Sequence, residues 1–280
     1  MPSIIDSHCH PEKWIRQGIL DEMLNQSLSA GVGGCIAVGT DPGDWDLYAD
    51  AARRHPGRLA YSIGLHPCHV SEDWEADLAK LLDRFPGDHP PCAVGEMGLD
   101  FFHLPKDPLE KERQITRQRR AFEQQLGWAS NHDLPIIIHS RNAFEETLAM
   151  IDASGVDGSK VVFHCFSEGP EQVEKINRRG IRASFTGILT YPSAKAIRAA
   201  LLAQGADRLM VETDSPYLPP QSKRGNPNHP AYVREVLETA AGVLALRLES
   251  LKEQVWRNTR SFFRLPEGFG EGDPVKAEDP

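Results

Sequence analysis

The chain has 280 residues, 40% hydrophobic and 25% charged, a composition that suits one large α/β domain or two small ones and lacks the bias of a disordered or fibrous chain. Its longest apolar stretches fall far short of the roughly 20 residues a membrane span needs, and residues 1–6 run straight into a strand pattern, so no secretory signal is expected. The balance of 31 basic against 40 acidic residues, net −9, argues against a broad nucleic-acid-binding face.

Eight short apolar runs alternate with longer helical patterns. The runs are residues 3–6, 34–38, 59–64, 92–95, 135–139, 160–164, 181–185 and 208–211. Among the helical patterns, residues 109–131 place Ile115, Phe122 and Leu126 on one face. Residues 171–179 bury Val173 and Ile176 and stop at Gly180. Residues 192–203 mix Ala196, Ala199 and Ala200 with Lys195 and Arg198. Residues 41–46, 86–91 and 218–230 read as loops from their Pro, Gly, Asp and Asn content.

This alternation predicts a single-domain (β/α)8 TIM barrel over residues 1–265. A doubly wound sheet has the same local alternation, but no GxGxxG follows the first run. The runs show little polar alternation, as a sheet covered on both faces requires. Residues 266–280 are expected to be a disordered acidic tail. They carry five acids and one base, so −4 of the −9 lies there, and their only large apolar residues are Phe269 and Val275.

Five cysteines, Cys9, Cys35, Cys68, Cys92 and Cys165, form an odd set without a CxxC pair, which points to a reducing cytoplasm rather than a disulfide framework. Cys9, Cys68 and Cys165 each neighbour a histidine. Adjacent strand residues face opposite ways, so these three are read as small buried residues turned away from the histidines.

A parallel barrel opens every strand end onto one face, and ligand-type residues sit at five such ends. His8 and His10 follow the first run, where i and i+2 point to the same side and can share one ion. Glu96 follows Ala93-Val94-Gly95, and its two oxygens can bridge two cations. His139 closes Ile136-Ile137-Ile138, and His164 closes Val161-Val162-Phe163. Asp214, in Val211-Glu212-Thr213-Asp214-Ser215-Pro216, can bind an ion and take a proton from water. Glu212 competes for that role from nearer the barrel interior. His66, in Gly64-Leu65-His66-Pro67, is assigned to substrate contact, and Arg141 to an anionic oxygen. Lys223 and Arg224 read as solvated. His55, His69, His89, His103 and His132 read as ordinary surface residues. Two divalent cations would make this mouth locally positive on an acidic protein.

Five segments together resemble the TatD-type metal-dependent hydrolases of the amidohydrolase group. They are Ile5-Asp6-Ser7-His8-Cys9-His10, Val94-Gly95-Glu96-Met97-Gly98-Leu99-Asp100, Leu134-Pro135-Ile136-Ile137-Ile138-His139-Ser140-Arg141, Val162-Phe163-His164-Cys165-Phe166-Ser167 and Glu212-Thr213-Asp214-Ser215-Pro216-Tyr217-Leu218. They occur in family order, and the match spans about residues 3–265. The resemblance implies a TIM barrel with two divalent metal ions (Mg, Mn or Zn). His8, His10, Glu96 and Asp214 would hold one ion, and Glu96, His139 and His164 the other. It also implies phosphodiester hydrolysis, DNase-type; the expected nucleophile is a hydroxide held between two metals about 3.5–4 Å apart. Asp214, Glu96 and His66 would be catalytic, and His66 and Arg141 would contact substrate, including DNA ends. No membrane and no obligatory protein partner are expected. An amidohydrolase acting on a C–N or ester bond is the alternative, and a non-catalytic metal-stabilised binding protein is the alternative of another class. One loop departs from the pattern. Where many members have Gly-Lys-Arg-Asn-Glu-Pro, this chain reads Lys223-Arg224-Gly225-Asn226-Pro227-Asn228-His229-Pro230, with His229 in place of a common glutamate. That departure bears on substrate preference rather than on the metal site.

Overall fold

Residues 3–82 and 89–271 are described by a computed structural model. Residues 1–2, residues 86–88 of the expected 86–91 loop and residues 272–280 of the expected tail lie outside the described residues. Eight parallel strands pair in chain order: β1 (Ile4–Cys9), β2 (Val32–Val38), β3 (Leu59–Ile63), β4 (Ala93–Asp100), β5 (Ile136–Arg141), β6 (Val161–Phe163), β7 (Arg182–Phe185) and β8 (Met210–Val211). Helices α1 (Glu12–Arg16), α2 (Leu20–Ser29), α3 (Pro42–Arg54), α4 (Trp74–Leu82), α5 (Pro108–Asn131), α6 (Phe144–Ser154), α7 (Pro170–Asn177) and α8 (Lys195–Gln204) cross between successive strands. Helices α9 (Val233–Leu244) and α10 (Leu248–Phe263) come after β8. This is the predicted (β/α)8 barrel. Helix α5 starts where Pro108 supplies a helical φ and Asp107 Oδ1 accepts from the Leu109 and Glu110 amides at 3.0 Å.

Strand parity explains which side chains enter the barrel. Ile137 and Val162 pack inside with Ile5, Ile36, Ala93 and Met210. Their neighbours Ile136, Ile138, Val161 and Phe163 pack outward with helix residues such as Phe122 and Val173. Two residues further on, regular alternation aims His139 and His164 inward. Strands β1 and β4 break that rhythm. Register shifts fall between Asp6 and Cys9 in β1 and between Val94 and Met97 in β4. Each irregularity inverts the facing of the strand residues beyond it, so Cys9 packs under the helices while His8 and His10 face the mouth. Gly95 makes the β4 shift possible: its φ is +135°, and a Cβ there would lie 2.5 Å from the Ile137 carbonyl oxygen.

The seam between β1 and β8 is thin, because β8 contributes only two ladder residues. One isolated bridge, Cys9 with Ser215, joins them. His10 N donates to Ser215 O at 2.7 Å, and Asp214 N donates to His8 O at 2.9 Å. Buried Asp6 completes the closure. Its Oδ1 accepts from Thr213 N (2.8 Å) and His8 N (3.3 Å), and its Oδ2 accepts from the Thr213 hydroxyl (2.5 Å). Burial pushes the Asp6 carboxyl up to about 8 despite these donors.

The packed chain extends past the expected boundary at residue 265. Phe269 is 1% exposed and joins Ile5, Phe262 and Phe263 at the barrel floor, and Gly270 N donates to Gly57 O at 2.8 Å. Gly34 leaves the space this ring fills, since a Cβ there would lie 2.6 Å from it. The Phe269 ring in its prepared pocket and the Gly270 backbone bond hold this segment against the barrel, whatever its acidic composition.

Replacing Asp6 by Ala orphans the Thr213 and His8 donors at the seam. The expected loss is about 2–4 kcal/mol of unfolding free energy, read from urea denaturation. An unchanged midpoint would show that the seam does not need the Asp6 carboxyl.

Candidate metal centre

At the C-terminal mouth a nearly buried carboxylate, Glu96 (3% exposed), stands among histidines from three other strands and the β3–α4 turn. Its two oxygens face different partners. Near Oε2 lie His8 Nε2 at 3.4 Å and His10 Nε2 at 3.8 Å. Asp214 Oδ1 is 3.7 Å and 3.3 Å from the same two nitrogens, which are 3.2 Å from each other. Near Oε1 lie His139 Nδ1 and His164 Nε2, each at 2.7 Å, and His66 Nε2 at 3.3 Å. His8 and His164 stack with ring centroids 4.1 Å apart. Asp214 reaches this position with φ +56°, an uncommon conformation for a residue other than glycine.

The cluster suits divalent cations. Ligand atoms around a cation with bonds of about 2.1 Å stand roughly 3.0–3.4 Å apart. The His8, His10, Glu96 and Asp214 atoms are spaced close to that, and the Oε1 group is somewhat tighter. The imidazole tautomers point the same way. His10 Nδ1 donates to Val38 O at 3.0 Å, and His139 Nε2 donates to Asp100 Oδ2 at 3.2 Å. His164 Nδ1 faces Glu212 Oε1 at 3.4 Å. With the outer nitrogen holding its proton against an oxygen, displacement of the inner proton leaves a lone pair aimed at the cluster, the arrangement that metal-binding histidines use. Three of the side-chain groups able to hold an ion lie here: His8–His10–Glu96, His8–His164–Asp214 and His66–Glu96–His139.

Electrostatics reflect the same contacts. Burial opposes ionisation of Glu96, but the surrounding histidines His164 and His66 outweigh it and hold the carboxyl well below its usual range. Asp214 is likewise lowered against its burial, chiefly by the His10 hydrogen bond. Burial disfavours the His164 cation, yet Glu96 and Glu212 hold it well above 6.5. His139 is raised by its Asp100 and Glu96 bonds, and His10 by Asp214, each against burial. His8 is lowered by burial and by His164. His66 is pushed down to about 4, first by burial and then by His139.

All six residues expected to hold metal therefore meet at one place. Glu212 lies beneath them. It accepts from Cys165 N at 2.7 Å and from the Ser184 hydroxyl at 2.5 Å, which leaves Asp214 as the carboxylate beside His8 and His10. His66 sits inside the cluster, and its Nδ1 accepts from Cys68 N at 3.1 Å. Arg141 is exposed with its guanidinium 4.0 Å over the Phe102 ring. Arg224 is exposed, as expected, with its guanidinium over the Tyr191 ring, and half-buried Lys223 lies over Tyr232. His229 caps the turn after it by accepting from Ala231 N at 3.0 Å, and Asn228 ties the loop to β8 by donating to Thr213 O and Tyr217 O.

Three residues differ from their expected roles. Asp100, which the sequence did not single out, is fully buried and holds His139 in place. Its signal was a carboxylate four residues after Glu96 at the end of the same strand. Cys68, expected to be buried and turned away, is exposed at the mouth, because it sits on the turn Pro67–His69 rather than in a strand. His103, expected to be an ordinary surface residue, bonds Asp100 Oδ2 through Nδ1 at 2.8 Å.

A parallel eight-stranded barrel that gathers five histidines around Glu96 and Asp214 at its C-terminal mouth defines a metal-dependent hydrolase. The chain belongs to the TatD related DNase family, whose pattern matches residues 5–264. It is 31% identical to the metal-dependent hydrolase YcfH of Escherichia coli over 266 residues, 94% of this chain and 96% of that one. It is also 31% identical to the 3'-5' ssDNA/RNA exonuclease TatD of Erwinia billingiae over 251 residues, 88% of this chain and 93% of the relative. Among solved structures, YjjV, a TatD homolog from Escherichia coli, superposes with a TM-score of 0.84 at 28% identity and covers 94% of this chain and 98% of its own.

Cation affinity should rise with pH. His164, His139 and His10 are held above their ordinary value, so they keep protons that a cation must displace. Each displaced proton contributes about tenfold in affinity per pH unit. Titration calorimetry with Mn²⁺ between about pH 6 and pH 8 reads the slope. A flat profile would mean that these imidazoles do not bind the ion.

Proposed function

We propose that this protein hydrolyses phosphodiester bonds with two divalent cations held on either side of Glu96. The observation that carries the reading is the separation of the two Glu96 oxygens between different histidine sets. His8, His10, Glu96 and Asp214 would hold one cation, and Glu96, His139 and His164 the other. When bound, the pair supplies a nucleophilic water at neutral pH and positive charge for the phosphoryl oxygens. Oxygen and imidazole donors suit Mg²⁺, Mn²⁺ or Zn²⁺.

The remaining steps belong to side chains. Asp214, with an oxygen at the centre and no proton of its own, accepts the proton from the attacking water. His66 is neutral, and its Nδ1 already accepts from Cys68 N, so Nε2 carries the hydrogen. It therefore acts as a donor to a phosphoryl oxygen rather than as a ligand. Arg141, held over Phe102, supplies a second contact for an anionic substrate. The nuclease activity named for the Erwinia relative makes nucleic-acid ends the favoured substrate. With a net charge of −9, attraction for such a substrate would come from the metal centre rather than from the whole surface. The five free cysteines suit a reducing cytoplasm, and among the described residues no helix is long and apolar enough to cross a membrane. No obligatory protein partner is proposed.

The test compares variants on a small phosphodiester and a single-stranded oligonucleotide, with metal content measured in parallel. Glu96→Ala and His139→Ala should abolish activity and lower metal content with an unchanged circular dichroism spectrum. His66→Ala should keep its metal and lose roughly 10²–10³ in kcat, the cost of one transition-state donor. Full activity in either of the first two variants would remove the assignment, and lost metal in the third would make His66 a ligand.

A further inference from the structure

We propose that Cys68, Asp100 and His103 form a separate cation site on the rim of the mouth, one that takes a thiolate-seeking divalent ion such as zinc or cobalt. The inference does not depend on the hydrolytic reading. The cluster around Glu96 contains no sulfur, and the rim group shares with it the Asp100 oxygen that His139 bonds.

Three elements bring the donors together. Cys68 stands on the turn Pro67–His69 after β3, Asp100 ends β4, and His103 comes three residues later. Cys68 Sγ is 3.5 Å from Asp100 Oδ2 and 3.8 Å from His103 Nδ1, and those two atoms are 2.8 Å apart. A zinc-sized ion, with bonds of about 2.0–2.3 Å, needs roughly 3.3–3.6 Å between its ligands. The two distances from sulfur are near that range already. The third opens by a small swing of His103, whose side chain is 51% exposed.

Hydrogen bonding at Asp100 shows why a cation is favoured. Oδ1 is occupied by the Phe102 and His103 amides at 2.8 and 2.9 Å. Oδ2 faces three donors: His139 Nε2 at 3.2 Å, His103 Nδ1 and Cys68 Sγ. A carboxylate oxygen has two lone pairs, so three donors exceed what it can accept. A cation replaces two of those contacts with one bond. The thiol gives its proton to solvent, His103 moves its hydrogen from Nδ1 to Nε2 on its half-exposed ring, sulfur and the freed Nδ1 bind the ion, and Asp100 Oδ2 keeps His139 on its other lone pair. One thiolate and one carboxylate balance a dication, and the sulfur selects against magnesium. The exposed side of Cys68 leaves a position for water.

Cobalt(II) tests this directly, because a thiolate ligand gives an intense charge-transfer band in the near ultraviolet that oxygen and imidazole ligands do not. On titration with Co²⁺ the full chain should develop that band and bind one more equivalent than Cys68→Ser. The Cys68→Ser variant should lose the band and keep the weaker visible bands of the main centre. His103→Ala should weaken the thiolate-bound cobalt by more than the roughly 10–100-fold that losing an outer partner costs. No charge-transfer band at saturating cobalt would overturn the proposal. So would a band that survives in Cys68→Ser, which would place the thiolate elsewhere, for instance at the buried Cys9–Cys35 pair beside Asp6.

Discussion

A carboxylate almost removed from water has to be matched by charge or hydrogen bonds, because an isolated buried ion costs several kcal/mol even after relaxation. Glu96 is that carboxylate here, and much of the barrel mouth is arranged around it. Strand β4 shifts register at Gly95 to bring it inward. Gly64 yields to the same shift, since a Cβ there would meet the Gly95 backbone at 2.6 Å. Strand β1 shifts register as well, and its two histidines come to the opposite oxygen. Strands β5 and β6 need no irregularity, because plain alternation after Ile137 and Val162 delivers His139 and His164. Two regular strands and two displaced ones thus converge on one side chain.

Behind these residues stands an outer row of acceptors. The Val38 carbonyl, Asp100 and Glu212 each face the outer nitrogen of one histidine. Their effect is on proton position rather than on shape: they fix which nitrogen of each ring carries hydrogen. His66 is the exception, and its difference is informative. Its Nδ1 accepts a backbone hydrogen bond, so its inner nitrogen is a donor while its neighbours present lone pairs. On the proposed reading, the same small cluster would offer both cation ligands and a hydrogen for an anionic oxygen, the combination that phosphoryl transfer to water requires.

Much of this was legible in the sequence, and the limits have physical causes. Eight runs of buried aliphatics could be counted because a barrel covers both faces of its sheet. His139 and His164 were legible because each closes a run of buried apolar residues. His8 and Glu96 were found by their place after apolar runs, while the register shifts that turn them into the mouth left no mark in the alternation. Asp100 escaped notice because a carboxylate at a strand end looks like any loop entry until its hydrogen-bond partners are known. Cys68 departs from expectation because a strand rule does not apply to a residue on a turn. Phe269 looks like part of an acidic tail, although Gly34, far away in sequence, leaves a pocket for it.

Diffraction near the manganese edge from crystals grown with Mn²⁺, an ion that thiolate sites disfavour, tests the division of Glu96 most directly. The account predicts two anomalous peaks at the mouth. One would lie among Glu96 Oε2, His8, His10 and Asp214, and the other among Glu96 Oε1, His139 and His164. A single peak, or peaks that leave Glu96 unshared, would contradict it.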